Sequence, residues 1–119
     1  MGLNEKEFKE RTKQLALAII RLVEDLPSTK AADILGRQML RSATSIGANY
    51  RAACRTKSTA DMINKLKMVE EESDETLYWL ELLTTSDIVP PARTTDLHKE
   101  TNEILSMTVA SLKTLRGRR

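Results

Sequence analysis

The residues that could carry chemistry in this chain are one histidine, one cysteine, a run of carboxylates and a row of arginines. No nucleophile or acid lies at a spacing that would make His98, the only histidine, a general base. The sequence has no Glu-x-x-His pair, which di-iron helical bundles need. The acidic run from Glu70 to Glu75 is typical of a solvated or salt-bridged helix face. We therefore expect no enzyme activity, no cofactor and no metal.

Cys54 is the single cysteine, so the chain cannot hold an internal disulfide framework. A reactive thiol favours a helix N-terminus or a basic neighbour. Arg51 and Arg55 are close in sequence, but Cys54 lies near the C-terminal end of its predicted helix. We interpret Cys54 as a small packing residue.

The basic residues of the second predicted helix form one row. Residues 27–60 carry six basic groups and one acidic group, whereas residues 61–91 carry two basic and eight acidic groups. At 100° per residue the basic row falls on one side of the helix, opposite its apolar arc. We name this row the arginine stripe; its members are Lys30, Arg37, Arg41, Arg51 and Arg55.

The arginine stripe has two interpretations. Its guanidinium groups can form forks with carboxylates of the next helix, in the same or a neighbouring subunit. Alternatively, they can contact phosphates of RNA or DNA, with help from Arg116, Arg118 and Arg119 in the basic tail. No aromatic side chain accompanies the stripe, so we expect little base specificity. The carboxylates of the first interpretation are Glu70, Glu71, Glu72 and Glu75.

Four amphipathic helices must position these groups. Apolar side chains recur at three- and four-residue steps, and prolines or capping signals interrupt the pattern. The expected N-caps are Asn4, Ser28 and Ser58. Short joints and the absence of strand alternation predict an all-α, up-down-up-down antiparallel four-helix bundle in one domain, 1–119. The predicted helices span residues 4–26, 29–55, 59–85 and 92–115.

The composition fits this architecture. The chain has 119 residues, of which 40% are hydrophobic and 30% charged, and its net charge of +2 is too small to predict nucleic-acid binding by itself. No apolar run approaches the roughly 18 residues of a membrane span, and the N-terminal segment lacks the apolar stretch of a signal peptide. We expect a cytoplasmic protein with no membrane partner.

Two features predict self-association. Gly36 and Gly47 lie inside the second helix, where glycine usually permits close approach of another backbone. Tyr78, Trp79 and Leu82 lie beside the main seam of the third helix and leave apolar surface for a partner; alternatively, the indole covers the bundle edge.

An asparagine at the border of the apolar arc can bond to another helix and fix its register. The candidate register or interface residues are Asn49, Tyr50, Trp79, Glu71 and Glu72.

Two segments, LRSATSIGANYRAACRTKS and KMVEEESDETLYWLELL, closely resemble the four-helix-bundle family of 23S rRNA intervening-sequence proteins, in the branch with Asn-Tyr-Arg-Ala-Ala-Cys. The resemblance implies a bacterial cytoplasmic bundle that assembles as a homopentamer, a pentameric barrel. Ala52-Ala53 replaces the Glu-Gly of a wider part of the family, so any role of that glutamate does not transfer. Met62 stands where many members carry phenylalanine.

A related accessory protein of diversity-generating retroelements is a basic pentameric barrel that binds nucleic acid and a reverse transcriptase. The segment that matches by position runs from Arg41 to Arg55. We therefore expect a non-enzymatic oligomeric bundle that binds nucleic acid, or a nucleic-acid-bound protein, through the arginine stripe. The alternative is a protein-interaction scaffold whose arginines are locked in salt bridges and bind no nucleic acid.

Overall fold

A computed structural model describes residues 4–117 and shows four long helices joined by short turns. No strand occurs within this part of the chain. Each helix packs against the next, and α1 also contacts α4, giving a rod of 47 × 21 × 21 Å. The all-helical fold predicted from the sequence is confirmed. The helices are α1 Glu5–Glu24, α2 Lys30–Ala53, α3 Thr59–Thr85 and α4 Thr95–Gly117.

Side-chain caps begin the first three helices. Asn4 Oδ1 accepts a hydrogen bond from the Glu7 amide at 2.8 Å, and Ser58 Oγ accepts one from the Asp61 amide at 3.1 Å, as predicted. The prediction of Ser28 as the second cap is wrong. Thr29 takes that place, because its backbone is extended and its Oγ1 accepts from the Ala32 amide at 3.1 Å.

The fourth helix begins three residues later than predicted. Pro91–Arg93 forms a 3-10 turn with Pro91 at its first position. The turn ends at Thr94, whose φ of −118° departs from helical geometry. The chain resumes at Thr95 as α4, which extends to Gly117, two residues beyond the predicted end.

The core combines the predicted apolar seams with threonines that the apolar pattern did not mark. Val109 of α4 is apolar but 41% exposed. Three buried threonines lie in α1 and α4 instead. Each satisfies its hydroxyl within its own helix and then packs like a β-branched apolar side chain. They are Thr12, bonded to the Lys9 carbonyl, Thr101, bonded to Leu97, and Thr108, bonded to Ile104.

Polar contacts tie helices to each other. Ser42 and Thr76, both fully buried, share a hydrogen bond of 2.8 Å between α2 and α3. The half-buried Arg11 guanidinium joins α1 to α4: its Nε donates to Glu100 at 2.8 Å and its Nη2 to Glu103 at 3.1 Å. Glu100 is the main cause that raises the pKa of Arg11 above its usual range. This fork holds together two helices that otherwise touch little.

The two glycines of α2 both face α1, but with different tolerance for a side chain. A Cβ at Gly36 would lie 2.9 Å from Leu26 Cδ1, the far end of a flexible side chain. A Cβ at Gly47 would lie 3.1 Å from Thr12 Oγ1 and 3.8 Å from the Thr12 carbonyl carbon. The Thr12 hydroxyl is already bonded to the Lys9 carbonyl at 2.9 Å. α1 therefore rests directly on α2 at Gly47.

We expect Gly36→Ala and Gly47→Ala to change stability in opposite directions. Alanine in a helix interior gains up to about 1 kcal/mol over glycine. At position 36 the Leu26 side chain can rotate away, so this gain should survive. At position 47 the fixed threonine must move, and we expect a loss of about 1 kcal/mol. Urea denaturation of both variants measures the difference; equal stabilisation would show that α1 does not rest on Gly47.

Candidate functional site

All five members of the arginine stripe are exposed, but they do not share one environment. Lys30 and Arg37 border a groove of about 480 Å³ near the joint between α1 and α2. Arg37 Nε lies 3.3 Å from Asp33 Oδ1, one turn away on the same helix. An exposed pair of this kind contributes roughly 0.3–0.5 kcal/mol. This end of the stripe is partly neutralised within α2.

Arg41 turns towards α3. Its Nη1 lies 3.2 Å from a Glu72 oxygen and its Nη2 lies 2.9 Å from Glu75 Oε1. This arrangement is the fork predicted by the salt-bridge interpretation, and it is made within one chain. The Arg41 side chain remains 50% exposed, so we assign the fork at most about 1 kcal/mol. Among residues 4–117, Arg41 is the only stripe member paired with α3.

Arg51 and Arg55 turn towards α1 and form one wall of a groove of about 730 Å³. We name it the α1–α2 groove. The opposite wall carries Lys6, Lys9 and Lys13. No aromatic residue lines the groove. Its other lining residues are small or acidic: Ala16, Ala48, Gly47, Thr12, Thr44, Glu5 and Glu10.

Both carboxylates of the α1–α2 groove are already engaged. Glu5 pairs with Lys9 at 3.1 Å, and Glu10 accepts a hydrogen bond from Gln14 at 2.7 Å. Four cations of the groove have no ion pair within residues 4–117, namely Lys6, Lys13, Arg51 and Arg55. An exposed cation without a partner can take up an anionic ligand at little cost.

The lysine wall was not predicted. Residues 1–26 carry five basic and five acidic groups, so their summed charge hides it. The signal was the spacing of Lys6, Lys9 and Lys13 at steps of three and four, which places them along one helix face.

The comparisons with known proteins identify the family. The model of the 23S rRNA-intervening sequence protein family matches residues 4–110. The chain belongs to this family. It is also similar to a solved structure from Bacteroides thetaiotaomicron VPI-5482, a protein with unknown function from the S23 ribosomal protein family. The two share 32% identity and a TM-score of 0.86, over 93% of this chain and 99% of that one. No curated protein matches the chain significantly.

The candidate interface residues occupy different settings. Asn49 Nδ2 donates to the Ser45 carbonyl of its own helix at 2.9 Å, so the predicted bond to another helix is not made within the chain. Tyr50 is buried against Phe8, with ring centroids 4.4 Å apart. Glu71 is exposed, whereas Glu72 is half-buried and holds Arg41. The roles predicted for these residues at a contact between two copies of the chain remain predictions.

Trp79 packs half-buried against the core, as expected for a residue that covers the bundle edge. Its Nε1 is shielded from solvent and has no partner within residues 4–117. The neighbouring Tyr78 is 55% exposed. In the basic tail, Arg116 is exposed at the end of α4, and Arg118 and Arg119 lie outside the described residues.

The other candidate reactive groups show no catalytic setting. His98 Nε2 lies 2.9 Å from Glu81 Oε2 on the surface. Within residues 4–117, no three His, Cys, Asp or Glu side chains converge as a metal site would require. None of the helices described is long and apolar enough to cross a membrane. Burial, and then the nearby Glu5 carboxylate, raise the pKa of the Cys54 thiol.

We expect Cys54 to react slowly with iodoacetamide. A raised pKa reduces the thiolate fraction, and only the thiolate reacts. At pH 8 the rate should therefore fall below that of free cysteine. Glu5→Gln should increase the rate, because the neutral amide no longer opposes ionisation of the thiol. Glu10→Gln, a change of the same kind on α1, is the control. A wild-type rate equal to that of free cysteine would contradict the assignment.

Proposed function

We propose that this chain is a non-enzymatic module of the bacterial cytoplasm that assembles as a homopentamer and binds nucleic acid, or a nucleic-acid-bound protein. The observation that carries the proposal is the pair Arg51 and Arg55. Both face an open groove, neither has a carboxylate partner within residues 4–117, and the opposite wall is a row of lysines. We therefore propose this end of α2, rather than the whole arginine stripe, as the contact surface.

Binding of this kind is electrostatic. Each phosphate neutralised by a lysine or arginine releases counterions, so affinity falls steeply as salt rises. Contacts to phosphates fix position but do not read sequence. Since no aromatic side chain lines the α1–α2 groove, stacking on bases is not available there. We therefore expect binding with little base preference.

A second candidate function is a protein-interaction scaffold without nucleic-acid binding. The fork from Arg41 to Glu72 and Glu75 favours it, because that arginine is occupied within the chain. The exposed carboxylate of Glu71 could hold further arginines of a neighbouring copy in the same way. The two candidates differ in whether Arg51 and Arg55 meet phosphate or protein.

Charge reversal separates the two candidates. We expect Arg51→Glu/Arg55→Glu to abolish binding of a 30-nucleotide RNA and of duplex DNA, measured by fluorescence anisotropy from 50 to 300 mM salt. The wild type should lose at least about 100-fold in affinity over this range. Lys67→Glu/Lys99→Glu is the matched control, with the same change of charge at two exposed lysines on α3 and α4. Equal loss in both variants, or no wild-type binding, would count against the proposal.

Arg41→Glu tests the scaffold candidate by removing the fork between α2 and α3. The new glutamate would face Glu72 and Glu75, so the free energy of unfolding should fall by about 1 kcal/mol. If this variant loses the assembly while the wild type binds no nucleic acid, the scaffold interpretation is supported.

Exposed apolar side chains on α2 and α3 support self-association. Ile34 is 50% exposed, Met68 43% and Tyr78 55%. Tyr78 lies against Trp79, with ring centroids 5.3 Å apart, so a partner packing there would cover both rings. Exposed aromatic and methionine side chains are typical of interface cores.

We expect native mass spectrometry to give five times the 13.4 kDa mass of one chain. Tyr78→Lys should weaken the assembly, since it places a charge in the apolar surface. Val109→Lys is the control, because Val109 is a similarly exposed apolar residue on α4. A monomeric wild type, or equal dissociation of both variants, would overturn this part of the proposal.

A further inference from the structure

We propose that the α1–α2 groove binds a nucleoside phosphate, with the base on its small-residue floor and the phosphate between the arginine and lysine walls. This proposal rests on the proposed function, because both use Arg51 and Arg55 to contact phosphate. It goes further in naming the ligand unit, one nucleotide, and the part of the groove that each portion occupies.

The size and floor of the groove suit one nucleotide. Its volume of about 730 Å³ falls within the roughly 300–1,000 Å³ typical of small-ligand sites. Ala16, Gly47 and Ala48 line it with no side-chain atom beyond Cβ. A flat base can therefore lie close to both helix backbones. A free inorganic anion would leave this apolar floor uncovered.

Thr44 presents the exposed hydroxyl of the groove, whereas Thr12 is buried against Gly47. Thr44 Oγ1 donates to the Leu40 carbonyl at 2.8 Å. With its hydrogen engaged, this oxygen offers only lone pairs to the groove. It selects a ligand that brings a donor, such as the exocyclic amine of a base or a ribose hydroxyl.

The walls suit a phosphate. Arg51 lies in the last turn of α2 and Arg55 in the turn that follows the helix, and both line the groove together with Lys6 and Lys13 of α1. Guanidinium groups bind phosphate in a bidentate manner, and lysines add point charges. Of the two carboxylates in the groove, Glu5 is paired with Lys9, whereas Glu10 accepts a hydrogen bond from the neutral Gln14 amide and keeps its charge. The five cations of the lining outnumber these two carboxylates.

Calorimetric titration distinguishes the possible ligands. We expect the nucleoside monophosphates to bind saturably, and adenosine alone or inorganic phosphate alone to bind at least about tenfold more weakly. A nucleotide can come from free solution or from the end of a strand. A 5′-phosphorylated oligonucleotide that binds more tightly than its unphosphorylated twin would assign the groove to strand ends. Equal binding of the twins, with monophosphates bound, would assign it to free nucleotides.

Two variants locate the site. Ala48→Leu fills the floor without changing charge and should reduce monophosphate affinity at least tenfold. Ala110→Leu, at an exposed alanine of α4, is the matched control and should leave it unchanged. Arg51→Gln/Arg55→Gln should abolish monophosphate binding while helix content, measured by circular dichroism, stays the same.

The outcome is independent of the test of the proposed function. If RNA or duplex DNA binds the wild type in a salt-dependent manner but no monophosphate binds saturably, the nucleotide site is overturned and the proposed function stands. Unchanged monophosphate affinity in Ala48→Leu would equally overturn it. If Ala48→Leu dissociates the assembly and the wild type binds no monophosphate, a second copy covers the groove and the proposal is wrong.

Discussion

The close approach of α1 to α2 at Gly47 is the contact on which the candidate site depends. The absent side chain lets Thr12 lie where a Cβ would come within 3.1 Å of its hydroxyl. Around this contact, small residues line the α1–α2 groove and the longer basic side chains of the two helices form its walls. A larger residue at position 47 would push α1 outwards, and the lysines would no longer stand opposite Arg51 and Arg55 at the same distance.

Small side chains also lie buried at other positions in the bundle. Ser42 and Thr76 meet between α2 and α3, and Thr101 and Thr108 lie buried in α4. Apolar periodicity predicted the four helices and most of the core, because burial of one face per helix is a property of each segment alone. It did not mark Thr12, Thr101 and Thr108, since their burial depends on a hydroxyl that bonds to its own helix. Val109 shows the complementary case, since an apolar side chain at the edge of a helix face can stay in contact with solvent.

The candidate site was predictable in part. A helical projection of α2 placed the arginine stripe correctly on the exposed side, and the helix runs unbroken through Gly47. The projection contains no information about neighbouring helices, so it could not separate Arg41, which reaches Glu72 on α3, from Arg51, which faces α1. The lysine wall lies on a helix whose charges cancel in sum. Only the packing of α1 beside α2 brings the two basic rows together.

Under the proposed function, this partition of charge determines where a polyanion approaches. Glu72 and Glu75 neutralise Arg41, and the surrounding carboxylates of α3 repel phosphate from the seam between α2 and α3. The unpaired cations of residues 4–117 that belong to the stripe remain at its ends, where Arg51 and Arg55 are reinforced by α1. The fork at Arg41 therefore does more than join two helices. By occupying the middle of the stripe, it leaves Arg51 and Arg55 as the stripe arginines without a carboxylate partner within residues 4–117. Under the proposed function, phosphate contact and salt-bridge formation therefore belong to different arginines.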